Sequence, residues 1–131
     1  MPNDIDLAVQ NLNDAFSKLK EGAHQAKKEL EKDGVIQRFE FTFELVWKSA
    51  KMILKREGVE AKTPRQSLKE AFRLGWIEEE KPFLDMLEDR NTMSHIYNQL
   101  EAEKIFAKIQ KNYIPAIEKV VQKLTKMVPK T

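Results

Sequence analysis

Nine consecutive residues, Arg90-Asn91-Thr92-Met93-Ser94-His95-Ile96-Tyr97-Asn98, combine a permanent cation, a group that titrates near neutrality, a phenol and two amides. These are the groups a phosphate site uses. Arginine offers a planar fork of donors to phosphate oxygens, histidine takes or gives a proton at pH 7, and tyrosine supplies a hydroxyl. None of them requires a metal. On a straight helix Arg90 and Tyr97 lie about 20° apart around the axis, whereas Arg90 and His95 are about 140° apart. One such helix cannot aim both at a small target. Either the backbone breaks between them, or a second copy of the chain completes the site across a two-fold axis. The same residues also have a purely structural use. Arg90 would then pair with Glu88, Asp85 or Asp89, His95 would satisfy a helix end, and Tyr97 would pack at a bundle edge.

The elements that position this cluster follow from periodicity. Leu7, Leu12, Ala15, Phe16, Leu19, Ala23, Ala26 and Leu30 recur at helical spacing and predict a first helix that Asp33-Gly34 ends. Phe39, Phe43, Val46, Trp47, Ala50 and Ile53 or Leu54 form the stripe of a second, from about Val35 to Glu57, with Gly58 as its stop. Thr63-Pro64 opens a short helix through Leu68, Ala71 and Phe72 that Gly75 closes, and Trp76 and Ile77 pin the following turn. After Lys81-Pro82 a helix carrying Phe83, Met86 and Leu87 runs toward Arg90. A final segment, about Leu100 to Met127, aligns Ile105, Ile109, Ile117, Val120 or Val121, and Leu124. Asn98 and Glu101 resemble a capping box at its start, although the helix from Pro82 could instead run through. Pro115 inside this segment predicts a kink. Such stripes can be buried only against one another, so residues 1–131 are expected to form one all-α domain, an antiparallel up-and-down four-helix bundle with an additional short helix.

Composition narrows the chemistry. The chain has 131 residues, 41% hydrophobic and 34% charged, and no cysteine, which excludes a disulfide scaffold, a thiolate metal site and a cysteine nucleophile. Lys+Arg 23 against Asp+Glu 21 leaves +2, too little for nucleic-acid binding by overall charge. Charge is nevertheless polarised. After Glu103 the last segment holds seven lysines against Glu118 alone, while Glu78 to Arg90 is acidic. A solvated helix face and an RNA-facing stripe account for the lysines equally well. Glu21 and His24 match a Glu-x-x-His metal motif once, and the missing second copy makes His24 a helix-flank residue instead. Trp47, Phe39, Phe43, Trp76 and Phe83 fall at core spacing rather than forming a base-stacking platform. The acidic, interrupted start and the lack of a long apolar run lead to the expectation of a cytoplasmic protein with no membrane span, metal or cofactor.

At these residues the chain resembles the HEPN superfamily, and within it the HepT-like nucleotidyltransferase substrate-binding proteins. The Arg-x4-His-x-Tyr pattern is met by Arg90, His95 and Tyr97, with Asn91 after the arginine. FTFELVWKSAK, TPRQSLKEAFRLGWI and FLDMLEDRNTMSHIYN extend the resemblance over nearly the whole chain. It implies a four-helix bundle, usually a homodimer, encoded beside a minimal nucleotidyltransferase in a toxin–antitoxin pair. It further implies a metal-independent endoribonuclease in which Arg90 and His95 are catalytic and Asn91 and Tyr97 contact substrate. Tyr97 would also be the site at which AMP transfer silences the enzyme. The resemblance equally allows a non-catalytic substrate-binding subunit of a two-chain nucleotidyltransferase.

Overall fold

The computed structural model describes residues 3–93 and 98–128, which are helical with no strand among them. α1 (Asp4–Gln25) begins on Asn3, whose side chain accepts the Asp6 amide at 2.8 Å while Asp6 accepts the Asn3 amide at 3.1 Å. α2 (Glu29–Arg56) follows, then α3 (Pro64–Arg73), α4 (Glu80–Met93) and a final leg. That leg comprises α5 (Gln99–Lys108), a π-helical turn (Ile109–Tyr113) and α6 (Ile114–Met127). α1, α2, α4 and the final leg are the four long legs, and α3 is the additional short helix.

Cross-helix bonds give the leg directions. Asn13 meets Thr125 and Lys20 meets Glu118, so α1 and α6 run antiparallel. Asp89 meets Lys108 and Glu78 meets Lys119, so α4 and the final leg do too. The apolar stripes meet inside. Leu12, Leu19, Phe39, Phe43, Ile53, Leu54, Leu68, Met86, Ile109, Ile117 and Leu124 are fully buried in one cluster. No helix of the described residues is long and apolar enough to cross a membrane.

Several local signals act as the sequence predicts. Thr63 caps α3 by accepting the Gln66 amide at 3.1 Å, and Asn98 caps α5 by accepting the Glu101 amide at 2.9 Å. Gly58 and Gly75 follow helix ends with φ near +82°, where a side chain would be strained. Trp76 and Ile77 are buried below that second turn.

Two boundaries differ. Asp33-Gly34 does not end the first helix but lies inside α2, and the break falls at residues 26–28. Its cause is Glu31, whose carboxylate accepts the amides of Lys27 at 3.0 Å and Lys28 at 2.8 Å and so caps a new helix. Those backbone bonds hold the Glu31 carboxyl below its ordinary pKa. Leu30 consequently leaves the α1 stripe and stands 82% exposed on α2. The second difference is the π turn before Pro115. Proline has no amide to offer the Lys111 carbonyl, and the widened turn precedes it, with the Ile114 amide reaching back to Ile109.

Leu12 and Leu30, expected on one stripe, should therefore respond differently to truncation. Leu12→Ala should cost about 2–5 kcal/mol in denaturant unfolding, and Leu30→Ala about 0.5 kcal/mol or less.

Candidate functional site

Arg90 sits in the last turn of α4, where the helix dipole favours a cation. Among the described residues its guanidinium makes no ion pair along its own helix. Nη2 instead donates to Oε1 of Glu44 on α2 at 2.9 Å, and Nη1 donates to the Asn91 side chain at 3.1 Å. Asp85 is taken by Lys81 at 2.8 Å, and Asp89 accepts from the Tyr113 hydroxyl and from Lys108 at 3.4 Å. The expected pairing with Glu88, Asp85 or Asp89 is thus replaced by an ion pair between helices.

Glu44 is fixed from its other side. Its Oε2 accepts the indole N–H of Trp47 at 3.0 Å, so Trp47, Glu44 and Arg90 form one hydrogen-bonded relay. Trp47 is half-buried and packs against the core from its edge, whereas Phe39, Phe43, Trp76 and Phe83 are buried within it. Glu40, one turn before Glu44 on the same face of α2, adds a second carboxylate near Arg90. Burial raises the Glu40 pKa; Arg90 pulls it back down and Glu44 adds to the rise. The guanidinium is therefore bonded to one carboxylate and feels a second, whose burial disfavours its charge.

A second set of contacts fixes the height of Arg90. Tyr113, on the π turn, is buried and stacked on Phe39 with ring centroids 5.3 Å apart. Its hydroxyl bonds the Asp89 carboxylate, next to Arg90 in the chain, and burial together with that bond pushes the phenol far above its ordinary pKa. The turn thus aims a buried donor at the end of α4.

Asn91 is exposed on the last turn of α4 beside the guanidinium. His95 and Tyr97, the other predicted site residues, lie outside the described residues. The expected convergence of Arg90 and His95 falls there too. Sequence reasoning passed over Glu40 and Glu44; the spacing Glu40, Glu44, Trp47 at one helix turn each was the available signal. The lysine-rich last leg also changes meaning. Lys108 and Lys119 reach Asp89 and Glu78, so part of the charge polarisation is an internal tie between the final leg and α4. His24 is exposed at the end of α1, and among the described residues no three histidines or carboxylates are grouped to hold a metal.

The arrangement of four long legs and one short helix places the chain among small all-α bundle proteins. More particularly, the chain belongs to the family "Nucleotidyltransferase substrate binding protein like", whose model matches residues 7–126. Among curated proteins it is 33% identical over 81 residues to the Haemophilus influenzae protein named "Probable ribonuclease HepT". That match covers 58% of this chain and 56% of the relative, so the chain spans little more than half the length of the curated relative it matches. Among solved structures, a Thermus thermophilus protein is 34% identical with TM-score 0.79, covering 86% of this chain and 98% of that one. A Haemophilus influenzae protein has the same fold at TM-score 0.78 and 24% identity, covering 89% and 98%. Its structure was described as revealing the fold of a substrate-binding domain of a nucleotidyltransferase.

The raised pKa of Glu40 has a sign that unfolding can read. A carboxyl whose folded pKa exceeds its ordinary value of 4.5 costs stability fully above the folded value, and the cost fades as pH falls from that value through 4.5 and is gone below it. Glu40→Gln should therefore raise the melting temperature at pH 7, with the gain shrinking toward acid pH. A gain that is flat with pH would separate it from this ionisation.

Proposed function

We propose that this chain is a HepT-type, metal-independent endoribonuclease subunit that works as a homodimer opposite a nucleotidyltransferase. The observation that carries the reading is Arg90, a guanidinium held at the end of α4 by Glu44 and flanked by Asn91, at the position that opens the Arg-x4-His-x-Tyr motif. Family membership and the name of the curated relative support it.

In this reading His95 takes the proton of a ribose 2′-hydroxyl, and the freed oxygen bonds to the adjacent phosphorus as the bond to the 5′-oxygen breaks. The leaving oxygen receives a proton from the second His95 of the dimer. Arg90 exchanges part of its Glu44 contact for the phosphate oxygens and stabilises the charge that builds on them. Asn91 orients a phosphate oxygen. Tyr97 contacts the substrate, and its phenol is the acceptor for AMP, whose attachment blocks the cleft. Phe41 is 61% exposed on α2 in a groove shared with Asp14 and Lys18 of α1, an apolar side chain that a second copy would cover.

One observation favours a second reading, a non-catalytic subunit that presents substrate to the nucleotidyltransferase. Glu44 already pairs with Arg90 and competes with phosphate for it. The family description points the same way.

Purified protein incubated with RNA in EDTA should cleave it, and Arg90→Ala and His95→Ala should each lower the rate about 100-fold or more. Equal inertness of wild type and variants contradicts the ribonuclease reading. In that case a stable complex with the nucleotidyltransferase on gel filtration would support the subunit reading. A mass gain of one AMP with ATP and partner, lost in Tyr97→Phe, checks the modification.

A further inference from the structure

A trough beside the last turns of α2 takes no part in the roles given to Arg90, His95 and Tyr97. It encloses about 820 Å³ between α2 and the segment from Gly58 to Lys62. Lys48, Lys51 and Lys55 line it from α2, three and four residues apart, so they share one helix face over about 10 Å. Lys62 lines it from the loop, and Glu60 is the one carboxylate-bearing residue of the lining. Met52 and Val59 give it an apolar, half-buried floor.

Among the described residues no ion pair uses Lys48, Lys51, Lys55 or Lys62, which is equally true of Lys111, Lys123 and Lys126 on the final leg. What sets the first four apart is that they line a single concavity. Four cations thus line one concavity with Glu60 as the one carboxylate among them. Trp47 stands at the end of the trough nearest the site, with the Lys48 ammonium 5.7 Å from its ring centroid. Its indole bonds Glu44, which holds Arg90. One side chain therefore separates the trough from the motif arginine.

We propose that this trough is a track for single-stranded RNA, in which the lysines pair with successive backbone phosphates and Trp47 offers a ring to a base. The strand then passes Glu44 and reaches Arg90. A mononucleotide site encloses most of its ligand. Here the charge is spread along a row, which suits a polyanion. The inference rests on the ribonuclease reading and names where its substrate lies.

The test uses the His95→Ala protein, so that RNA stays intact, and the anisotropy of a fluorescein-labelled single-stranded RNA of mixed sequence across a range of KCl. One variant carries Lys48→Ala, Lys51→Ala and Lys55→Ala. A second carries Lys111→Ala, Lys123→Ala and Lys126→Ala on the final leg, with the same change in charge. The trough variant should bind at least roughly tenfold more weakly at low salt, and its log K against log salt slope should flatten by about 2, as three lost phosphate contacts require. The final-leg variant should stay near the parent. Circular dichroism melting verifies both folds, and Lys51→Glu alone should reproduce the direction if the triple variant does not fold.

Equal losses in both triple variants, no change in the trough variant, no RNA binding by the parent, or equal competition by ATP would each overturn the track. Binding that depends on the trough, in a protein whose wild type does not cut RNA, keeps the track and removes the ribonuclease. Cutting that ignores the trough lysines removes the track alone.

Discussion

The contact between the Arg90 guanidinium and the Glu44 carboxylate ties the end of α4 to the middle of α2, 46 residues apart in sequence. It decides where the motif arginine points. Without it, Arg90 would have the carboxylates of its own helix within reach, one or two residues away or a turn back. The pair is neither buried nor fully open, with about a third of each side chain exposed. In that setting a charge-assisted bond is strong enough to orient the group and weak enough to be exchanged for another anion. The indole of Trp47 removes the freedom Glu44 would otherwise have, so orientation passes from the wall of the lysine trough to the motif.

A second constraint sets the height of α4 rather than its side-chain direction. The final leg is not one regular helix, and the π turn from Ile109 to Tyr113 carries a phenol into the bundle where it stacks on Phe39 and bonds Asp89. Lys108 and Lys119 add ion pairs to α4 from the same leg. The acidic stretch from Glu78 to Arg90 and the lysines after Glu103, unbalanced when read along the chain, meet in space across these two legs.

Much of the bundle was legible because its signals are local. Thr63 and Asn98 cap helices through bonds to amides three residues on, and Gly58 and Gly75 adopt a backbone that other residues resist. The misplaced end of α1 was also local, but its signal is Glu31 rather than Gly34. A glycine is tolerated inside a helix, whereas a carboxylate that accepts two free amides starts one. The π turn was not legible beyond the expectation of a kink at Pro115. Its stacking and hydrogen-bond partners, Phe39 and Asp89, come from other legs. The partner of Arg90 was hidden for the same reason. Periodicity says which face of α2 carries Glu40 and Glu44, but not which neighbouring helix presents a cation to them.

Glu44 holds Arg90 in place. A double-mutant cycle of urea unfolding on Glu44→Gln, Arg90→Gln and the pair tests it most directly, because it isolates the mutual term from the cost of each substitution. A coupling of about 0.5 kcal/mol or more, diminished at high salt, is the predicted result. Additive substitutions, with no coupling at low salt, would contradict it.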